Sequence, residues 1–505
     1  MEELSLVVSQ PRVVVDIREG EPGPSHDPSV PPSPPSKASA ETAAGTSNDP
    51  NLFHLRDWGM LPDVTAAMIA SYLLPWERGH MAMSCANWHR AIMESPHLWR
   101  TRDFRIHGNW RDSYHISYVK SVGRFLKRVY FTFGFRAHRR PRRLQKLFTG
   151  ILAELYRQGP VQLKELSITE LSFQRHFQSS DTNRAREGVM RSLNRYLRRQ
   201  SMLEKLDVSD SGLRIDEGVG LLLSVSEHSS TSLRSLFIED MFQIGATVHS
   251  EPRFAVTLSR FTRLVDISMN YSCFSAEVLT HLARSCRSTL ELLTISTNRQ
   301  DKHEHTIDRN AWVGFSEAMP RTRVKVIMSG IMRMGAVYRI LGPGMPLQSV
   351  RMYGYNDGGF RPDRALRHIS RNFQHIVEKI SVDVGPVYHS YNRGFLSLVQ
   401  ACTVLKSLEI HGRIQWPALR DVFDFVDESF IKKGLRPSLT YLRVIITMIG
   451  FGQEEALVME EFRPTFVQHN LNYELVFDPM YPMPLGPVPI DDPQQEEDEV
   501  LALAW

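Results

Sequence analysis

Two hydrophobic patterns divide the chain. Between residues 61 and 99, LPDVTAAMIASYLLPWERGHMAMSCANWHRAIMESPHLW, 22 of 39 residues are apolar and recur at helical spacing. Thr65, Met68, Ile69, Tyr72 and Leu73 follow the i, i+3, i+4, i+7, i+8 rule, which lays one broad apolar stripe along a first helix. Met81, Cys85, Trp88 and Ile92 repeat it on a second. Punctuation sets the ends: Pro62 near the first start, Leu74-Pro75 between helices, Ser95-Pro96 before a third. Three short helices have too little interior to bury this much surface, since so small a module is marginal alone. Large leftover apolar patches mark partner sites. The pattern therefore predicts a second protein bound here.

From about residue 120 another pattern takes over, a leucine or equivalent followed three and five residues later by further apolar residues. It reads LKRVYF from Leu126, LKELSI from Leu163, LEKLDV from Leu203, LRSLFI from Leu233, LVDISM from Leu264 and LELLTI from Leu290. LQSVRM from Leu347, VEKISV from Val377, LKSLEI from Leu405 and LTYLRV from Leu439 follow, with VKVIM at 324–328 a weaker copy. The alternating end of each copy predicts a short strand. Starts lie 26 to 57 residues apart, and the 57 splits into 34 and 23 at the weak copy. Amphipathic helices fill the intervals, as in SAEVLTHLARSCRS, where Ser275 is the expected N-cap and Phe274 and Leu279 suit a hydrophobic staple. KLFTGILAELYRQG, RALRHISRNF, GFLSLVQAC and ALRDVFDFVDESFIKKG are others. The expected fold is α/β: a small helical module followed by an irregular solenoid, parallel strands on one face and helices on the other. An ordinary open α/β sheet is the alternative.

Composition adds the ends. Residues 1–52 hold EPGPSHDPSVPPSPPSKASAETAAGTSNDP, a Pro/Ser-rich arm with too little apolar surface to offset the entropy of ordering. The helical module is placed at 53–106 and the repeats at 107–478. Residues 479–505 form an acidic tail with six carboxylates between Asp491 and Glu499. The net charge of +4 is too mild to announce nucleic acid. Four cysteines with no CxxC pair suit a reducing compartment. No apolar run approaches the roughly 18 residues of a membrane helix and the amino end lacks a signal-peptide pattern. A cytoplasmic or nuclear location without membrane contact is expected.

The first pattern resembles an F-box. The family's opening Leu-Pro-acid falls on Leu61, Pro62 and Asp63, its isoleucine and aromatic-leucine pair on Ile69, Tyr72 and Leu73, its Cys-x-x-Trp on Cys85 and Trp88, and its closing pair on Leu98 and Trp99. Val64 stands where an acidic residue is usual, Ala66 and Ala67 where bulkier aliphatics are, and Arg78-Gly79 where leucines are common. An F-box ahead of leucine-rich repeats is similar to the substrate receptors of Skp–cullin–F-box ubiquitin ligases. CFSAEVLTHL, NAWVGFSEAMPRTRVKVIM and LKSLEIHGRIQWPAL are similar to the F-box only protein 33 and 39 group. The resemblance implies a Skp-type adaptor held by Leu61, Pro62, Asp63, Ile69, Leu73, Cys85, Trp88, Leu98 and Trp99. It also implies a cullin–RING scaffold and a protein substrate on the repeats. A scaffold with a drifted F-box is the alternative.

The chain offers no chemistry of its own. It lacks a Walker A loop, GxGxxG, HExxH and GxSxG, so no catalytic residue, cofactor or metal is assigned. His303-Glu304-His305 reads as a solvated loop without a third ligand. The run RAHRRPRRLQK, with Arg136, Arg139, Arg140, Arg142 and Arg143, is the densest charge cluster. It suits nuclear targeting or an acidic partner; no aromatic platform is interleaved for RNA.

Overall fold

Each repeat start becomes a strand. The computed structural model describes residues 58–106, 114–133, 140–159, 161–177, 182–330, 333–355, 360–385, 391–412, 414, 416–431, 439–447, 462, 464, 467 and 471–478. The arm at 1–52 and the tail at 479–505 lie outside them. The chain divides into two units, one ending at Leu98 and one beginning at Trp99.

The first unit holds helices α1 (Asp63–Ser71), α2 (Pro75–Ser84) and α3 (Ala86–Met93). The second is built on strands β1 (Thr101–Ile106), β2 (Arg128–Phe133), β3 (Glu165–Thr169), β4 (Lys205–Asp207), β5 (Ser235–Ile238), β6 (Asp266–Asn270) and β7 (Leu292–Thr297). It continues with β8 (Arg323–Ser329), β9 (Leu347–Tyr355), β10 (Lys379–Gly385), β11 (Ser407–Gly412), β12 (Tyr441–Thr447) and β13 (Asn472–Asp478). Helices α4 (Tyr114–Val122), α5 (Pro141–Arg157), α6 (Phe173–His176), α7 (Asn183–Leu197), α8 (Ile215–Ser229), α9 (Pro252–Leu258) and α10 (Ala276–Ser285) lie between them. So do α11 (Arg309–Ala318), α12 (Met334–Ile340), α13 (Pro362–Asn372), α14 (Asn392–Ala401) and α15 (Trp416–Ile431).

All 13 strands form one parallel sheet whose order is the chain order. Val129, Leu166, Leu206, Leu236, Ile267, Leu293 and Val324 stand in register across β2–β8, all buried. The strand residues of the continuous core, from Phe104 to Val444, all point to the same side of the pleat. Helical faces such as Leu144, Phe148, Ile151 and Leu155 of α5 complete that core. A doubly wound sheet would need a reversal of strand order and a core on each face; here there is neither among the described residues.

The residue after each opening leucine explains the stacking. The Lys164 N–H donates to the Lys127 carbonyl, Glu204 to Lys164, Arg234 to Glu204, Val265 to Arg234 and Glu291 to Val265, at 2.7–2.8 Å. Each repeat thus begins by closing a backbone bond onto the one before, while Leu163, Leu203, Leu233 and Leu264 are fully buried beneath. Ser275 caps α10 as expected, accepting from the Val278 N–H at 3.2 Å. VKVIM is a full strand, β8, held between β7 and β9 although it lacks the leading leucine.

Two strands escaped the sequence pattern, β1 and β13. TRDFRI and NYELVFD carry no LxxL frame and are recruited by the registers of β2 and β12. β1 corrects the helical module's limit: residues 101–106, assigned to it from sequence, belong to the sheet unit.

Gly394 marks a close approach of two helices. A Cβ there would meet the Asp363 carbonyl oxygen at 2.5 Å and the Leu366 Cβ at 3.0 Å, so α13 and α14 approach backbone to backbone. Gly394→Ala is expected to destabilise the protein by about 1–3 kcal/mol through overpacking. Chemical denaturation compared with the exposed control Gly314→Ala, which has open space for the Cβ, measures this.

Candidate partner-binding site

In the first unit the small residues go inside. Ala66, Ala67 and Ala70 bury one face of α1, and Ala91 and Ile92 bury the facing side of α3. Pro62 caps α1 without a side-chain bond, Pro75 starts α2, and Glu77 accepts from the Leu74 N–H at 2.7 Å. Cys85 breaks the expected second helix in two: its backbone is extended, and its Sγ caps α3 by accepting from the Trp88 N–H at 3.4 Å. Asn87 donates to the Gly59 and Leu61 carbonyls at 2.9 and 3.0 Å, fixing the entry segment. Arg78 donates to the Ala70 carbonyl at 2.9 Å and to the Leu98 carbonyl, tying α1 to the end of the unit.

The large apolar residues go outside. Tyr72 is 86% exposed, Met60 and Val64 74%, Met83 73%, Met68 58% and Leu74 57%. These are six of the 14 large hydrophobic side chains exposed among the described residues, gathered within 24 positions. Val64, Met68 and Tyr72 follow one another at four-residue spacing along one side of α1. The stripe expected to face the core is thus divided: Met68 and Tyr72 face water, while Thr65, Ile69 and Leu73 are half-buried. Alanine lets helix backbones approach closely, and the larger side chains on the other side are then left with nothing to cover them.

The residues assigned to adaptor contact separate accordingly. Pro62 and Asp63 are exposed, Asp63 pairing with Arg90 at 3.3 Å. Leu61, Ile69, Leu73, Cys85 and Trp88 are half-buried and border the open face. Leu98 and Trp99 are corrected: they are 5% and 3% exposed, and the Trp99 ring stands edge-on to Tyr118 at 5.9 Å. They serve the chain's own interior. Met60, Val64, Leu74 and Met83 join this face without having been assigned to it from the sequence; the alanine spacing at 66, 67 and 70 is the signal that α1 turns its other side inward. Val64, at the position where an acid is usual, enlarges the apolar face, whereas Ala66 and Ala67 alter only the interior.

In the basic run, Arg136 and Arg139 lie outside the described residues. Arg140 caps α5, and Arg142 and Arg143 occupy its first turn, Arg142 exposed.

The open face of the sheet is polar and electronegative over β3–β7. Glu239 accepts from Ser268 and from Ser296 at 3.3 Å, and Asp240 from Asn270 and Asn298 at 2.8 and 2.9 Å. Burial, then the charges of Asp240, Glu170, Glu239 and Asp207, raise the Asp210 carboxyl above its ordinary value. Burial, then Glu239, raise Asp266.

The KHEH stretch is another correction. His303 is 7% exposed, and His305 stacks between His249 at 3.9 Å and Tyr271 at 4.5 Å. The Tyr271 hydroxyl lies 3.1 and 3.0 Å from the His305 and Arg339 carbonyls, and Arg339 donates to the His303 carbonyl at 2.7 Å. These bonds draw the loop after β7 inward. Among the described residues no group of three or more His, Cys, Asp or Glu side chains is placed to hold a metal ion. Burial pushes the His305 imidazole down to about 4, with His249 adding to the effect. Because the fold holds the neutral ring while the unfolded chain takes up a proton, this stabilisation is complete above about pH 6.5 and is lost as the pH falls toward 4. Melting temperatures should therefore decline across that window. His305→Phe, which retains a ring in the stack, should flatten part of the decline; an unchanged pH profile would refute the assignment.

A scan against models of known protein families finds no match. Among the described residues no helix is long and apolar enough to cross a membrane.

Proposed function

We propose that residues 58–98 are an F-box that docks on a Skp-type adaptor, and that the sheet unit is a leucine-rich-repeat solenoid that holds a protein substrate. The chain is then the non-catalytic substrate receptor of a Skp–cullin–F-box ubiquitin ligase, in the cytoplasm or nucleus. The exposed face of Val64, Met68, Tyr72 and Leu74 carries the reading. Burying it on a partner removes from water the apolar surface that the unit leaves uncovered. One-sided stacking of strand–helix repeats that open with a buried leucine supports the solenoid assignment. No step of the chemistry falls to this chain. Its task is to hold a substrate lysine near the conjugating enzyme, raising the effective concentration of the reactants.

Co-purification of the full chain with a Skp-type adaptor and a cullin–RING pair tests this, together with the turnover of proteins bound to the repeats. Failure to bind any such adaptor, with partners of the repeats turning over at an unchanged rate, would leave an interaction scaffold instead.

A further inference from the structure

The helical side of the sheet unit carries its charge unevenly. α5 exposes Arg142, Lys146 and Arg157, and its one carboxylate, Glu154, is buried. α7 and the two residues that follow it expose Arg184, Arg191, Arg195, Arg198 and Arg199 against a single exposed acid, Glu187. The helices run side by side in the same direction. Gln145 of α5 stands against Gly188 of α7, and Tyr156 near the end of α5 lies beneath the guanidinium groups of Arg195 and Arg199 at 4.7 and 3.7 Å. Arg157 is paired with Glu154 and Arg198 with Glu227. Arg142, Lys146, Arg184, Arg191 and Arg195 have no carboxylate within ion-pair distance among the described residues.

The macrodipole favours Arg157, Arg195, Arg198 and Arg199 at the carboxyl ends of the two helices, but not the cations at their amino ends. Neither helix has an acid in its first turn, where the macrodipole favours one; arginines stand there instead. Arg142 and Lys146, and Arg191 and Arg195, are like charges four residues apart, a spacing that weakens a helix. Cations placed against the local electrostatics call for an anion from outside.

We propose that the exposed side of α5 and α7 binds an acidic polypeptide segment in extended conformation, its side chains aspartate, glutamate or phosphoserine. At about 1.5 Å per residue, Arg191 and Arg195 are separated by about 6 Å along the axis and Arg184 and Arg198 by about 21 Å. Alternate side chains of an extended peptide recur about every 6.7 Å, close to the Arg191–Arg195 separation, and roughly seven residues span the row from end to end. Stacking on Tyr156 holds two of the guanidinium groups in place, which lowers the entropy lost on binding. The same contacts occupy the ring that a nucleic acid base would stack on, and single-strand binding needs such platforms. Binding of the acidic segment is independent of whether residues 58–98 engage an adaptor.

Fluorescence anisotropy on the full chain tests this with two labelled eight-residue peptides, one alternating glutamate and alanine, the other phosphoserine and alanine. The phosphoserine peptide separates a modification-dependent partner from a constitutively acidic one, and binding by either supports the face. Affinity should fall with salt, and Lys146→Gln/Arg184→Gln/Arg191→Gln should weaken it by roughly tenfold or more. Lys325→Gln, on the opposite face of the sheet, should leave it unchanged. Equal binding of a lysine–alanine peptide to the wild type would overturn the proposal without recourse to variants. So would wild-type affinity in the triple variant, or tighter binding of a single-stranded RNA lost in that variant.

Discussion

Met68→Asp/Tyr72→Asp should abolish adaptor capture while leaving the protein folded. Both side chains are exposed in the free chain, so the substitutions should move its stability by no more than about 0.5 kcal/mol. On an adaptor they would be buried at the centre of the apolar face, where each large anchor contributes about 2 kcal/mol and an introduced carboxylate would be desolvated without a partner. The expected loss is on the order of 100-fold or more in affinity. Titration calorimetry against a purified Skp-type adaptor, with a thermal melt of the free variant, separates binding from folding. Trp99→Ala provides the contrast. It should lower stability by about 3–5 kcal/mol, since that ring belongs to the interior. A double aspartate variant that still binds would remove the ligase reading.

Glu217→Ala should be among the most damaging single substitutions in the sheet unit. Arg186 of α7 and Glu217 of α8 form a two-pronged pair, Nε to Oε1 at 2.7 Å and Nη2 to Oε2 at 2.5 Å, with the side chains 4% and 13% exposed. The guanidinium also lies 5.0 Å from the Phe173 ring centre, and Glu217 accepts from the Arg214 N–H at 2.9 Å. Burial by itself would raise the Glu217 carboxyl. The Arg186 and Arg214 hydrogen bonds and charges outweigh it and hold the group below its ordinary value. The stability from this pair is therefore present above the usual carboxylate range and is lost as the pH falls through the folded value. Removing one partner strands a buried cation, at a cost of about 3–5 kcal/mol. Arg186→Met/Glu217→Leu should recover most of the loss, because the buried charge disappears with its partner. Hydrogen exchange, read helix by helix, is the suitable measurement, as repeats stacked on nearest neighbours open locally. A double variant as unstable as Glu217→Ala would assign the effect to packing.

Legibility in the sequence followed the range of the interactions. The LxxLxI copies were visible because a strand buried on one face writes its period into consecutive residues, and Ser275 because capping is settled within one turn. β1 and β13 were invisible: only the registers of β2 and β12 define them. Tyr271 drew His305 out of an apparently solvated stretch from 34 positions away in the chain.

By itself, then, the sequence determined a repeated strand–helix unit, its strand positions between Leu126 and Leu439, and a separate helical module with more apolar surface than it could hide. Only the tertiary structure decided which apolar residues of that module face water, placed Trp99 inside, paired Arg186 with Glu217, and set the arginines of α7 beside those of α5. Periodicity specifies that a helix has an apolar side. Which side turns inward depends on how closely its neighbours can approach, and in α1 three alanines let that neighbour lie on the side away from Met68 and Tyr72.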